Sequence, residues 1–593
     1  MFSKILIANR GEIAVRVART CKELGVTVVA VYSDVDREAR HVALADEAVH
    51  LPGSAPADTY LNVQAVIDAA LSKGCQAIHP GYGFMSERAD VAEAVAASGL
   101  VWIGPPPEAL HAAGDKVRAR QLAESAGVSV VPGTLEPVRD IEEVHAFGDR
   151  HGYPIAIKAA GGGGGRGLKV AASAGDVEAA FGSAVREAQA YFGSADVYLE
   201  RYLQRPKHVE IQILAAAPGQ TIWLGARDCS LQRRHQKLVE ETPPPRFVEV
   251  VPRMGAAAAR VADACGYVNA GTVEFLLDAD AVAEAVAEAG EAGGADEAGP
   301  PFHFLEINAR LQVEHTITEE VLGVDLVAAQ LRIASGDPLG FEAEDLRPGG
   351  RLEPRGHAIE CRVNAEDPRR RFLPGPGRIT RYREPGGPGI RVDSGFGEGD
   401  DVPAAYDSLV AKLVAWAPSR EEARLRMLRA LDEFDIQGIP TTIPAHRLLL
   451  GHPEFVDGSY STVTVESGAL EALGPPEARK ARDVDAEAGG EGVLLVAGTP
   501  TRLWHPAVAG SVSAATRTGP GPDRGQVVAP MHGTILGVLV SVGDQVEAGD
   551  PVAVLEAMKM ETHIAAPASG GVKELLARPG DVVEAGQVVA VVG

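Results

Sequence analysis

Apolar and polar positions follow several distinct rhythms along this chain. Lys4-Ile5-Leu6-Ile7-Ala8 is an apolar run too short for a helix and predicts a strand. A helix-spaced pattern over about 13–24 follows, then a second strand over 26–32. This β-α-β opening predicts a parallel sheet and a doubly wound first lobe over residues 1–114. Within it, His79-Pro80-Gly81-Tyr82-Gly83-Phe84 is a glycine-rich loop after a strand at Ala77-Ile78, at a strand end where such sheets bind ligands. There is no GxGxxG, so a dinucleotide site is not indicated.

A second lobe is predicted over 115–330. Residues 153–158 form a strand ending in Lys158, and five consecutive glycines, Gly161, Gly162, Gly163, Gly164 and Gly165, follow before Arg166 and Gly167. Such a run cannot be a stable strand or helix interior. It can wrap backbone N–H groups around phosphate oxygens and move as a lid. A strand resumes at Leu168-Lys169-Val170, which argues against a simple linker. No Gly-Lys-Ser/Thr closes the run, so it is not a P-loop. Residues 197–203 predict a strand running into a turn, and 208–214 alternate with period two. Residues 227–237 form a basic cluster beside the lid, read as anion-binding.

Glu306-Ile307-Asn308-Ala309-Arg310-Leu311-Gln312-Val313-Glu314-His315 reads as one strand. Alternation then puts Glu306, Asn308, Arg310, Gln312 and Glu314 on a single face, a row suited to catalysis. Thr272-Val273-Glu274-Phe275-Leu276 offers another carboxylate from a neighbouring strand. Glu274, Glu306 and Asn308 are hard oxygen donors of the kind Mg²⁺ takes with phosphate. Residues 281–300 contain no basic residue and predict an exposed, mobile insertion. A further domain is expected over 331–465, with a helix over about 420–433, and a semi-flexible tether with one small β element over 466–524.

The last stretch, 525–593, contains a direct repeat. Ala529-Pro530, Gly533, Gly543-Asp544 and Val546-Glu547-Ala548-Gly549 recur at one constant offset as Ala566-Pro567, Gly570, Gly580-Asp581 and Val583-Glu584-Ala585-Gly586. Two similar half-sheets related by a pseudo-two-fold are predicted. The midpoint between the copies falls at Met558 and Lys559, which places one lysine at a turn. Methionine is normally core filler, so Met558 and Met560 flanking a displayed lysine suggest a mark for covalent modification.

Composition narrows the class. At 593 residues the chain exceeds one core, and its 46% hydrophobic and 23% charged residues are ordinary for a soluble globular protein. No apolar run is long enough to span a membrane, and Met1-Phe2-Ser3-Lys4-Ile5 enters a strand directly, with no secretory leader expected. The five cysteines form no CxxC pair, so neither a zinc site nor a disulfide framework is expected, and the compartment is read as cytoplasmic. A net charge of −25 argues against nucleic acid.

Glu556-Ala557-Met558-Lys559-Met560 resembles the biotin attachment site of biotinyl carrier domains. A lipoyl domain shares that fold, but two flanking methionines favour biotin, a group carrier. Residues 1 to about 450 resemble biotin carboxylase, an ATP-grasp fold. The motifs are Asn9-Arg10-Gly11-Glu12, the 79–83 loop, Lys158 with its glycines, Arg233-Arg234-His235-Gln236-Lys237, the stretch from Glu306 on, and the 357–368 segment. The fold class implied is a multidomain α/β and α+β chain, with an ATP-grasp biotin carboxylase, a tether and a small all-β, lipoyl-like barrel.

The resemblance implies the site. Lys116 and Lys158 would hold ATP phosphates, with Gly164 and Gly165 in the lid. Glu200, Arg201, Tyr202 and Leu203 would line the adenine pocket by main-chain contacts, with His208, Gln232 and His235 nearby. Glu274, Glu306 and Asn308 would bind Mg²⁺ or Mn²⁺. Lys237, Arg310, Gln312 and Val313 would hold bicarbonate, Tyr82 and Arg362 would face the biotin ring, and Lys559 would be biotinylated. Glu314 would act as general base, activating bicarbonate to attack the γ-phosphoryl group in line. The resulting carboxyphosphate would split into CO2 and phosphate beside biotin, the phosphate would take the ureido proton, and Arg362 would stabilise the resulting enolate with the lid excluding water.

The resemblance also implies partners: biotin protein ligase, and a carboxyltransferase β subunit, because no transferase domain precedes Gly593. The layout is similar to the α chain of acyl-CoA carboxylases, with acetyl-CoA or propionyl-CoA as acceptor, in a homo-oligomer within a hetero-oligomeric holoenzyme. Neither nucleic acid nor membrane is implied as a partner. The sequence departs from relatives in its 281–300 insertion, its short 466–524 segment, Ala309 in place of a frequent Thr, and Thr316 in place of a frequent Pro. Alternatives are another acceptor, such as pyruvate, urea or methylcrotonyl-CoA, a non-catalytic biotin carrier scaffold, and an ATP-grasp ligase with a lipoyl-like tail.

Overall fold

The computed structural model describes residues 1–134, 136–159, 168–192, 195–234, 236–278, 302–341, 345, 352–474, 493–496, 499–502, 525–529, 533–557, 560–583 and 586–593. The glycine lid with Gly164 and Gly165, His235, the 281–300 insertion, and Met558 with Lys559 lie outside the described residues. The chain divides into two compact units, 1–403 with 408–473, and 404–407 with 474–593.

The first unit begins with the expected parallel sheet. Its strand order is Glu47–His50, Thr27–Tyr32, Lys4–Ile7, Ala77–His79, Val101–Trp102. Ile5, Leu6, Val28 and Val29 are fully buried, as fits strands covered on both faces. Three residues separate the first strand from the helix Gly11–Glu23, and Gly11 takes a positive φ of 64° at the sharp entry. Ile13 and Val17 of this helix share one core with Leu311, Ile317, Leu326 and Val327. The first lobe is thereby packed directly on the segment that carries Glu314.

Two further sheets complete the unit. Leu168–Ala171, Ile155–Ala159 and Val197–Arg201 form a three-stranded antiparallel sheet, with Ile155, Ile157 and Leu199 packed on Val144 and Ala184 of flanking helices. An eight-stranded antiparallel sheet runs in the order Phe302–Asn308, Asn269–Asp278, Pro206–Ala215, Thr221–Arg233, Gln236–Thr242, His357–Asn364, Leu409–Ala417, Ile390–Ser394. Gln236–Thr242 pairs directly with His357–Asn364, so residue 331 marks no break in the hydrogen bonding. The period-two pattern of 208–214 is explained by a strand buried on both faces. Val209, Ile211 and Ile213 pack against the helix Val251–Ala264, while His208, Glu210 and Gln212 carry the opposite, polar face. The predicted helix over about 420–433 is Arg420–Glu433, opened by a Ser419/Glu422 capping box.

The second unit contains two four-stranded sheets. One is ordered Gln526–Val528, Val588–Val592, Gly570–Leu575, Gln545–Val546, and the other Met560–Ala565, Pro551–Ala557, Gly533–Val538, Val582–Val583. The repeat seen in the sequence appears as reciprocal bonding. Ile535 N donates to Asp581 O, and Val572 N to Asp544 O, both at 2.8 Å. Ser541 N is held by Asp544 Oδ2 and Arg578 N by Asp581 Oδ2, both at 2.7 Å. Pro551–Ala557 and Met560–Ala565 pair out to Ala557 and Met560, so Lys559 is one of the two residues that join them. The small β element expected in the tether is the hairpin Val493–Val496 with Thr499–Arg502.

All five cysteines are buried and outside disulfides. No described helix is long and apolar enough to cross a membrane.

Candidate active site

Three strands and one loop converge on the ammonium of Lys237. Its Nζ lies 2.6 Å from Glu210, 3.0 Å from Glu274 and 2.6 Å from Glu314. Glu210 comes from Pro206–Ala215, Glu274 from Asn269–Asp278 and Lys237 from Gln236–Thr242. Glu210 and Glu274 are brought together by register, since they pair directly across their strands. Arg227 is fully buried and donates to Glu210 (2.6 Å), Gln212 (2.7 Å) and Thr318 (2.9 Å). Arg362 donates to Glu240 (2.6 Å) and to Glu314 (2.9 Å).

These contacts set the protonation pattern. Burial alone would raise Glu314, but Lys237, Arg362 and Arg227 hold it well below the usual carboxylate range. Burial and the neighbouring Glu314 charge raise Glu210 against the pull of Lys237 and Arg227. Burial also raises Glu240 to about 8 and Glu360 to about 7. Glu314 is therefore ionised at neutral pH, as is Glu274, lowered against burial by Lys237 and His208, while Glu210, Glu240 and Glu360 hold protons more tightly.

The single strand expected over 306–314 is corrected. It ends at Asn308, and 309–314 form a loop that enters the helix His315–Leu322 with Glu314 at its N-cap. Local bonding explains the break. The Arg310 guanidinium donates to Asn308 Oδ1 (3.1 Å), Leu311 O (3.2 Å) and Gln312 Oε1 (2.8 Å), while Leu311 is drawn into the core of the first lobe. The row is assembled all the same, by a loop folded about Arg310. Gln312 also reaches Glu274 at 3.4 Å, and Glu87 pairs with Arg310 at 3.0 Å.

The reading of 227–237 as one anion-binding cluster is also corrected, because a hairpin divides it. Arg227 points inward among carboxylates, Lys237 into the acidic centre, and Arg233 stacks 4.8 Å from the Phe372 ring. Gln232 pairs with Lys237 in the register of that hairpin. His208 Nε2 lies 2.9 Å from Glu274, which raises its proton affinity despite burial. Lys158 is ion-paired with Glu200, whose other oxygen lies 3.4 Å from Arg120. The N–H groups of Arg201 and Tyr202 donate to Pro132 O (2.8 Å) and Pro154 O (3.0 Å), Arg201 also pairs with Asp278 at 3.6 Å, and Leu203 is buried beyond them. Lys116 opens the helix Lys116–Ser125. The Tyr82 loop is gripped by Asn9, whose Nδ2 donates to Pro80 O (2.7 Å) and Tyr82 O (2.8 Å).

Sequence reasoning missed Glu210, Arg227, Glu240, Glu360 and Lys412. Lys412 alone carried a local signal, as the one charged residue of the otherwise apolar strand Leu409–Ala417, while the other four lie in strands of mixed polar and apolar residues. Thr316, where a Pro was expected, donates its hydroxyl to Glu360.

The donor set fits a hard divalent cation. Glu274 and Glu306 are directly opposed on paired strands, and Asn308 lies two residues further on the same face. All three offer oxygen.

"Biotin carboxylase, N-terminal domain" matches residues 1–110. "Carbamoyl-phosphate synthase L chain, ATP binding domain" matches 115–289 and 295–341. "Biotin carboxylase C-terminal domain" matches 360–467, and "Biotin-requiring enzyme" matches 525–592. The biotin-dependent acyl-coenzyme A carboxylase alpha3 subunit of Mycobacterium leprae is 41% identical over 95% of this chain and 94% of its own length. A pyruvate carboxylase subunit of Methanothermobacter thermautotrophicus is 45% identical over 79% of this chain and 90% of its own. The biotin carboxylase domain of Hydrogenobacter thermophilus 2-oxoglutarate carboxylase, solved with MgADP, ADP and bicarbonate, superposes with a TM-score of 0.69 at 41% identity, covering 79% of this chain and 98% of that one.

The raised Glu360 carboxyl has a measurable consequence. A folded-state value of about 7 against 4.5 means that the folded protein binds its proton more tightly than the unfolded chain. That stabilisation is complete below about 4.5 and is lost as pH rises through about 7. In Glu360→Gln the loss is removed. Chemical-denaturation midpoints should match wild type in mild acid, and the variant should gain on it progressively towards pH 8.

Proposed function

Because this chain belongs to the biotin carboxylase family, as an ATP-dependent biotin carboxylase of the acyl-CoA carboxylase α subunit kind, we propose that it carboxylates biotin carried on its own Lys559 and supplies a separate carboxyltransferase that acts on acetyl-CoA or propionyl-CoA. Biotin and Mg²⁺ are its cofactors and ATP its energy source. The observation that carries the reading is Glu314, a buried carboxylate held at 2.6 Å by Lys237 and 2.9 Å by Arg362.

Each residue then has a task. Lys237, Arg310, Gln312 and Val313 bind bicarbonate. An anion arriving there shares the positive charge of Lys237, which weakens its hold on Glu314 and raises the proton affinity of that carboxylate. Glu314 takes the bicarbonate proton, and the planar Arg310 orients the oxyanion for in-line attack. Lys116 and Lys158 hold ATP phosphates, with Gly164 and Gly165 closing over them. Glu200, Arg201, Tyr202 and Leu203 line the adenine pocket, near His208, Gln232 and His235. Glu274, Glu306 and Asn308 would hold Mg²⁺, which would supply charge neutralisation for the phosphates. Arg362 and Tyr82 face biotin, and Arg362 stabilises the charge that develops on its ureido oxygen.

The relative that supports an acyl-CoA acceptor matches 95% of this chain, whereas the pyruvate carboxylase subunit matches 79%. A tether between loader and carrier keeps the biotin at roughly millimolar effective concentration. Attachment by a biotin protein ligase, assembly into a homo-oligomer within a larger holoenzyme, and a cytoplasmic location complete the reading. Five buried cysteines outside disulfides suit that compartment.

Glu314→Gln keeps the shape but removes the base, and its single amide oxygen can accept from Lys237 or from Arg362 but not from both on separate oxygens. Bicarbonate-dependent ADP formation with free biotin should fall on the order of 10²-fold or more, with nucleotide binding retained. Wild-type turnover in this variant would overturn the role. Once a carboxyltransferase is supplied, labelled carboxylate should pass to acetyl-CoA or propionyl-CoA. Transfer to pyruvate instead would replace the proposed acceptor.

A further inference from the structure

Neither the Asn9-Arg10-Gly11-Glu12 motif nor the lone lysine of the strand Leu409–Ala417 has a task in the site assigned above. We propose that Glu12 and Lys412 are a positioning pair that fixes the Val313 carbonyl, and with it the bicarbonate loop and Glu314. The inference rests on the functional reading of that loop.

Lys412 is fully buried, and its Nζ donates to Val313 O at 3.0 Å. Glu12 is its nearest counter-charge at 3.2 Å. Asp393 lies further off, at 3.9 Å, and is itself held by Arg391 at 2.8 Å. The Val313 carbonyl and the Glu314 N–H share one planar peptide unit. Fixing that carbonyl therefore fixes the entry into Glu314, the residue at the helix N-cap. A bond from an ammonium is about twice as strong as one between neutral groups, which suits this task.

Glu12 is in turn rigidly seated. A Cβ on Gly395 would fall 2.5 Å from Glu12 N, so the backbones of the two segments touch. Arg10 grips Asp36 with two bonds of 2.7 Å, and Asn9 holds the Tyr82 loop. The Lys412 ammonium also lies 5.9 Å from the Tyr82 ring. One motif at the start of the chain thus anchors both the bicarbonate loop and the loop that faces biotin. Stability alone does not explain the pair, because a buried ion pair is often no better than an apolar replacement of similar volume.

That last point supplies the test. Glu12→Gln/Lys412→Met removes both charges together, so neither is left buried alone. The full-length biotinylated double variant should melt close to wild type. Its KM for ATP should stay within about twofold, while its KM for bicarbonate rises on the order of tenfold, the weight of one hydrogen bond to a charged group. Should the double variant fail to fold, Glu12→Gln alone serves, with a smaller rise confined to bicarbonate. A folded variant with unchanged bicarbonate KM overturns the pair, as does an equal rise in both constants. Wild-type protein without bicarbonate-dependent ADP formation would instead defeat the functional reading itself.

Discussion

One ammonium among three buried carboxylates organises this protein. Without the positive charge of Lys237, Glu210, Glu274 and Glu314 would be like charges packed together out of water. Removing one partner of such a cluster costs on the order of 3–5 kcal/mol, more than most single contacts supply. Arg227 and Arg362 extend the same balance on either side. The fold must therefore deliver four separate segments to one point, and the deep antiparallel sheet is the device that does so.

The sheet accomplishes this by register. Side chains that alternate along a strand become neighbours across strands, so the polar face of Pro206–Ala215 meets Glu274 on one side and Arg227 on the other. Continuation into His357–Asn364 and Leu409–Ala417 brings Arg362 and Lys412 to the same centre. The loop that carries Arg310, Gln312 and Glu314 is not part of the sheet. It depends instead on Leu311 being buried in the first lobe and on Arg310 tying its own neighbours together. Arg310, Gln312 and Glu314 thus sit on a loop, while Lys237, Glu210 and Glu274, which set the charge balance around Glu314, sit on hydrogen-bonded strands.

Much of this was legible in the sequence because it is local. The β-α-β opening, the helix Arg420–Glu433 and the repeat flanking Lys559 are written in short-range period and offset. The row from Glu306 to Glu314 was legible in its chemistry but not in its shape. A strand and a loop can both line up alternate residues, and what decides between them is the burial of Leu311 together with the bonds of Arg310 to its own neighbours. The buried partners of Lys412, Glu360 and Arg227 were not legible because burial of a charge is a long-range property. They lie tens to hundreds of residues away, as Val313 and Glu12 do from Lys412. The basic 227–237 stretch misled for the same reason, since charge in sequence does not say which side of a hairpin it faces.

The central claim is that loader and carrier operate within one chain. The most direct measurement is to incubate the biotinylated protein with ATP, Mg²⁺ and labelled bicarbonate, and to follow the label on the protein. The account predicts acid-labile label that is bound in wild type and lost in Lys559→Arg. Protein that binds avidin yet takes up no label under those conditions would contradict it.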